Sequence, residues 1–122
     1  MTSIQKFDSN EVLSEVAVHN GVVYLAGQVP DDDSLDIQGQ TRQVLANIDK
    51  ALAQAGTDKH HLLSAQVFIK NLADFEGFNS EWSAWVAGTT PPVRATIQAD
   101  LVNPNWLVEV MVIAAVKRFA QA

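Results

Sequence analysis

An α+β fold, one mixed β-sheet with two helices packed on a single face, is what this chain of 122 residues predicts, and three observations predict it. Apolar residues recur at helical spacing from Ile37 to Ala55. Shorter apolar runs of strand length stand on both sides of that stripe, separated by glycine, proline and asparagine turn signals. The elements then read β-β-α-β-α-β-β with no repeat, low-complexity tract or linker between them, so residues 1–122 are expected to form one domain.

The elements follow in order. After a polar start, Glu15 to Asn20 reads as a strand, Asn20-Gly21 as a tight turn and Val22 to Ala26 as the returning strand of a hairpin. Gly27-Gln28-Val29-Pro30 and the acidic run Asp31-Asp32-Asp33-Ser34 break the pattern into a loop. Ile37, Thr41, Val44, Leu45, Ile48, Leu52 and Ala55 make the first helix, which Gly56 closes. Leu62 to Lys70 is strand-like, and Asp74 is expected to cap a second helix carrying Phe75, Phe78, Trp82 and Trp85 on one stripe. Pro91-Pro92 forces extended chain into a strand from Val93 to Leu101. A turn at Val102 to Asn105 leads to the last strand, Leu107 to Val116.

Composition narrows the function classes. Acidic residues outnumber basic ones by 14 to 8, a net charge of −6, and no Lys/Arg cluster is present, which argues against nucleic acid. With no cysteine, disulfides, thiolate metal sites and cysteine nucleophiles are excluded. No segment has the ~20 consecutive apolar residues that span a bilayer, so no membrane role and a cytoplasmic location are expected. His60-His61 reads as a solvated loop, Asp31 to Asp33 lacks the oxygen spacing of a calcium site, and neither metal nor organic cofactor is expected.

Both parities of the last strand are apolar: Leu107, Met111 and Ile113 on one side, Val108, Val110, Val112 and Ala114 on the other. Two helices cover only one face, and an uncovered apolar face calls for a partner. A homo-oligomer closed through the open sheet faces is the expectation.

Arg94 is the one charge in the run from Pro91 to Ala99, and alternation sets it on the face of Thr96 and Gln98. Glu109 stands alone among apolar neighbours in the last strand, where a carboxylate is rarely buried without a partner. If these two strands pair through the Val102 to Asn105 turn, Glu109 falls near Gln98 on the face of Arg94 and both charges line one cleft. A structural ion pair is the plain alternative for either residue. Arginine's planar fork suits bidentate capture of a carboxylate, and Glu109 is then placed to orient or deprotonate a water.

Gly21 to Pro30, Gln43 to Ile48, Ala55-Gly56, Val67-Phe68-Ile69, Asp74-Phe75, Asn79, Pro92 to Thr96 and Val108-Glu109-Val110 resemble the Rid family, the reactive-intermediate (enamine/imine) deaminases also called YjgF-like. The resemblance covers nearly the whole chain. It implies a chorismate-mutase-like fold, a homotrimer with clefts between subunits, and cofactor-free hydrolysis of small enamines and 2-imino acids to 2-keto acids and ammonia. By the same resemblance Arg94 binds the substrate carboxylate, Glu109 helps place water, Gly27 lines the cleft through its backbone, and Asn79 and Thr96 are cleft positions. Leu13, Ala26 and Thr96 depart from the best-known deaminase subgroup, which has tyrosine, serine and cysteine there, so the chain looks more like a separate subgroup. The alternative is a non-catalytic protein of the same fold that binds small carboxylates or acts as a chaperone.

Overall fold

The computed structural model describes residues 3–117. The elements are β1 (Gln5–Ser9), β2 (Ser14–His19), β3 (Val22–Leu25), α1 (Ile37–Gln54), β4 (Leu62–Ile69), α2 (Phe75–Val86), β5 (Val93–Gln98) and β6 (Val108–Ala115). The strands form a single sheet in the order β1-β2-β3-β6-β4-β5. β4 and β5 pair in parallel and the other neighbours are antiparallel, which makes the sheet mixed as its sequence predicts.

The β2–β3 hairpin turns on Asn20 and Gly21, with φ of 52° and 77°. Two successive positive φ values give the turn whose twist matches the strands, and asparagine and glycine tolerate them. α1 begins where the Asp36 side chain accepts a hydrogen bond from the Gly39 amide at 2.8 Å, and ends before Gly56, whose φ of +80° no helix continues. Its buried row, Ile37, Thr41, Val44, Leu45, Ile48 and Leu52, lies against the sheet. α2 buries Phe78, Trp82 and Val86. Asp74 stands at its start without a capping side-chain bond, contrary to expectation. The helix grows out of a tight turn at Leu72–Asp74, where the Phe75 amide already donates to the Leu72 carbonyl.

β1 is an element that the β-β-α-β-α-β-β order lacks. Only Phe7 in Gln5–Ser9 is even half-buried, so the strand carries no alternating apolar signal. It is an edge strand, paired along β2 from Gln5↔Val18 to Ser9↔Ser14.

The core lies between the helices and one face of the sheet. Val108, Val110, Val112 and Ala114 of β6 are fully buried there with Val16, Val23 and Val67. Each buried valine contributes about 1.5–3 kcal/mol relative to exposure. The opposite face has no helix: Val93 and Ile97 of β5 are 73% and 53% exposed, and Tyr24 of β3 is 46% exposed.

The β5–β6 connection crosses the end of β4. The Lys70 amide donates to the Leu107 carbonyl at 3.1 Å and Lys70 Nζ donates to the Pro104 carbonyl. The fully buried Gln40 of α1 holds the crossing, donating to the Asn105 carbonyl at 3.1 Å and accepting from the Leu107 amide at 2.8 Å.

Candidate functional site

Arg94, Thr96 and Gln98 register against Ala65, Val67 and Ile69 of β4, all buried toward the helices. α2 follows β4 and lies over this strip. Its aromatic stripe therefore meets the arginine: the Arg94 Cζ is 5.4 Å from the Trp82 ring centre, 5.7 Å from Phe78 and 5.9 Å from Phe75. Ring faces attract a guanidinium without neutralising it. Arg94 Nη1 donates to Asn79 Oδ1 at 2.8 Å. Among the described residues no carboxylate pairs with Arg94. Burial lowers its pKa, yet a guanidinium remains charged at neutral pH. Thr96 Oγ1, two residues along the same face, is buried and without a partner among the described residues.

Glu109 registers against Phe68 and shares the uncovered face with Met111 and Ile113. The chain leaving β3 bridges back to β6, with the Gln28 amide donating to the Val110 carbonyl at 2.8 Å and the Val110 amide returning at 3.1 Å. That bridge presses Gly27 against the Glu109 side chain. A Cβ on residue 27 would stand 2.9 Å from Glu109 Cδ and overlap Oε2, so any larger residue there must push the Glu109 carboxylate aside. Glu109 makes no hydrogen bond or ion pair among the described residues, and burial raises its pKa above the usual carboxylate range.

The structure corrects the strand pairing and the same-face placement expected for Arg94 and Glu109 within one copy. β5 and β6 do not pair, because β4 lies between them. Arg94 faces the helices and Glu109 faces away from them. Within one copy the candidate residues fall into two separate groups, candidate half-sites, Arg94 with Asn79 and Thr96, and Glu109 with Gly27. The rings of Phe75, Phe78 and Trp82 read in the sequence as a core stripe only. The available signal was that a helix following β4 must lie over the strand that next pairs with it.

Neither the cavity of about 470 Å³ beside Phe7, Val18 and Gly56 nor that of about 350 Å³ beside Asp8, Gln28 and Asn47 is lined by Arg94 or Glu109. Leu13 is 47% exposed in the turn before β2, and the Ala26 amide donates to the Glu15 carbonyl at 2.8 Å. His61 Nδ1 bonds Asp58 Oδ1 at 2.9 Å, and Asp31, Asp32 and Asp33 accept bonds from Asn47, Ser34 and Asn103. Among the described residues no group of three or more His, Asp or Glu is placed to hold a metal ion, and no helix is long and apolar enough to cross a membrane.

The sequence profile described as Endoribonuclease L-PSP matches residues 3–116. The chain belongs to the Endoribonuclease L-PSP family. A RutC family protein of Haemophilus ducreyi is 49% identical over 113 residues, covering 93% of this chain and 97% of the relative. Among L-PSP relatives of known structure, NMB1025 of Neisseria meningitidis, a member of the YjgF protein family, superposes with a TM-score of 0.91 at 36% identity, covering 94% of this chain and 96% of that one. YyfA of Yersinia pestis, of the Rid protein family, gives 0.87 at 32% identity over 93% of this chain and 100% of its own. The resemblance read from the motifs therefore holds for the family and for the chorismate-mutase-like fold.

Proposed function

We propose that this protein hydrolyses small 2-imino acids, and their enamine tautomers, to 2-keto acids and ammonia without a cofactor, in clefts between the subunits of a homotrimer. The observation that carries the reading is Arg94: a half-buried guanidinium on three aromatic rings with no carboxylate partner among the described residues. A desolvated cation gains from an arriving anion, and the flat fork of arginine favours the two coplanar oxygens of a carboxylate.

A 2-imino acid so held has its electrophilic carbon directly beside the clamp. Water adds to that carbon while Glu109, more basic than an ordinary carboxyl because it is buried, takes one water proton. The C=N electron pair moves to nitrogen, which takes that proton from Glu109 and gives the carbinolamine. In the collapse Glu109 removes the hydroxyl proton as the C=O bond forms, the C–N bond breaks and the same proton passes to the departing nitrogen, so the keto acid and ammonia leave and the Glu109 carboxylate is regenerated.

No single copy can offer both groups to one small molecule, since a sheet separates them. The cleft is therefore built from Arg94, with Thr96 beside it, of one copy, and Glu109 with the Gly27 backbone of the next. The apolar face bearing Tyr24, Val93 and Ile97 supports such packing.

An amino-acid oxidase generating 2-imino acids in place, with semicarbazide trapping the residual imine, tests the activity. The protein should suppress semicarbazone formation and speed keto-acid release. No effect across several side chains would leave a carboxylate-binding protein of the same fold. The ribonuclease activity in the family's description is disfavoured by the net charge of −6; tight, salt-sensitive RNA binding would restore it.

A further inference from the structure

The groups that touch the Arg94 guanidinium share one property. Phe75, Phe78 and Trp82 present rings, and Asn79 presents an amide oxygen at 2.8 Å. All of them fix the position of the cation and none returns a negative charge. An aspartate has almost the shape of an asparagine, and at position 79 it would complete a close ion pair with Arg94. That pair would hold the arginine more firmly and spend the charge an incoming anion needs.

We infer that Asn79 is a positioning residue acting through Arg94, and that its neutrality sets the affinity of the site for a carboxylate. The inference rests on the carboxylate-clamp reading of Arg94, and it differs from the cleft contact that the family resemblance implies for Asn79. Asn79 turns one nitrogen of the fork inward. No other acceptor among the described residues takes the remaining N–H groups, which leaves them for a planar anion. A residue required only for folding would lose affinity and stability together, whereas this arrangement makes them move apart.

The test titrates pyruvate calorimetrically into the wild-type protein, Asn79→Asp and Asn79→Ser, with thermal melts of each. Asn79→Asp is expected to weaken pyruvate binding about 30-fold or more at pH 7.5, with a melting temperature equal to or above that of wild type. Asn79→Ser, a shorter neutral acceptor, should stay within about threefold, so a misfolded acidic variant does not by itself decide the matter. Where imine turnover is measured, the loss should fall on KM with kcat held. Pyruvate bound equally by Asn79→Asp overturns the inference, as does a fall in kcat at constant KM, which would mark direct contact with the reacting atoms. A wild-type protein that binds no pyruvate overturns it as well. A wild-type protein that binds pyruvate with these variant effects, yet hydrolyses no imine, upholds the inference and rejects the hydrolase.

Discussion

Arg94 and Glu109 are both half-buried charges without an ionic partner among the described residues, on the two faces of one sheet. On the covered face, α2 supplies three rings and an amide, so the cation is accommodated within a single copy. On the open face, Glu109 has only the missing side chain of Gly27 to make room for it and nothing to neutralise it. The Arg94 side chain is thus held in place by the fold, while burial, with no partner among the described residues to offset it, raises the Glu109 pKa. A carboxyl meant to exchange protons near neutrality is best left unpaired.

The comparison can be broken most decisively by removing the cation. Arg94→Ala should abolish imine hydrolysis while leaving the fold intact, since losing the charge partner of a bound anion costs roughly 2–5 kcal/mol. Mixing Arg94→Ala with Glu109→Ala chains through a denaturation and refolding cycle should then restore roughly a quarter of wild-type activity, the statistical share of clefts that draw each intact residue from a different copy. No recovery would place both residues in one copy's site.

Next in size is Gly27→Ala. Its Cβ must displace the Glu109 carboxylate, at a cost of about 1–3 kcal/mol in a melt, and activity should fall with it. Pyruvate binding at Arg94 should change less than turnover does, because the Arg94 that clamps it comes from the neighbouring copy and keeps its own rings and Asn79.

Glu109→Gln sharpens the electrostatic side. The folded protein holds the Glu109 proton to higher pH than the unfolded chain does, so this group subtracts stability as pH rises from its ordinary value of 4.5 through the raised one. The variant should therefore gain in melting temperature relative to wild type between pH 4 and pH 7, with no difference at the acid end. A variant that loses stability over that range would mean that Glu109 is paired in solution.

The smallest effect is expected far from either half-site. The hydrogen bond from His61, helped by Lys117, lowers the Asp58 pKa from 3.8 to about 2. Its contribution is present above the ordinary value and lost as pH falls through about 2. Asp58 is over a third exposed, so Asp58→Asn should cost below about 1 kcal/mol at pH 7 and progressively less as pH falls through about 2.

Local patterns were legible in the sequence and neighbour relations were not. Asn20-Gly21 marked the hairpin, the stripe from Ile37 marked α1, and alternation put Arg94, Thr96 and Gln98 on one face of β5. Glu109 likewise fell in the row of Met111 and Ile113. Alternation orders side chains within a strand but does not say which strand lies alongside, so it does not show β4 between β5 and β6, and the two charges share a side only if β5 and β6 are neighbours. The bonds that dictate the crossing, from Gln40 and Lys70 to residues 104–107, join positions far apart in the chain and follow no periodicity. β1 was invisible for the opposite reason, because an exposed edge strand has no apolar face to betray it.

The last described strand is also one of the two central ones. β6 joins the β1-β2-β3 meander to the β4-β5 pair, and its valines fill the core beneath both helices. Until Val108–Ala115 has been synthesised, the growing polypeptide holds two sheet fragments with open inner edges and no seam between them. Folding of this protein on the ribosome must wait for that strand, and a stop anywhere before Val108 leaves two exposed edges ready for unproductive pairing.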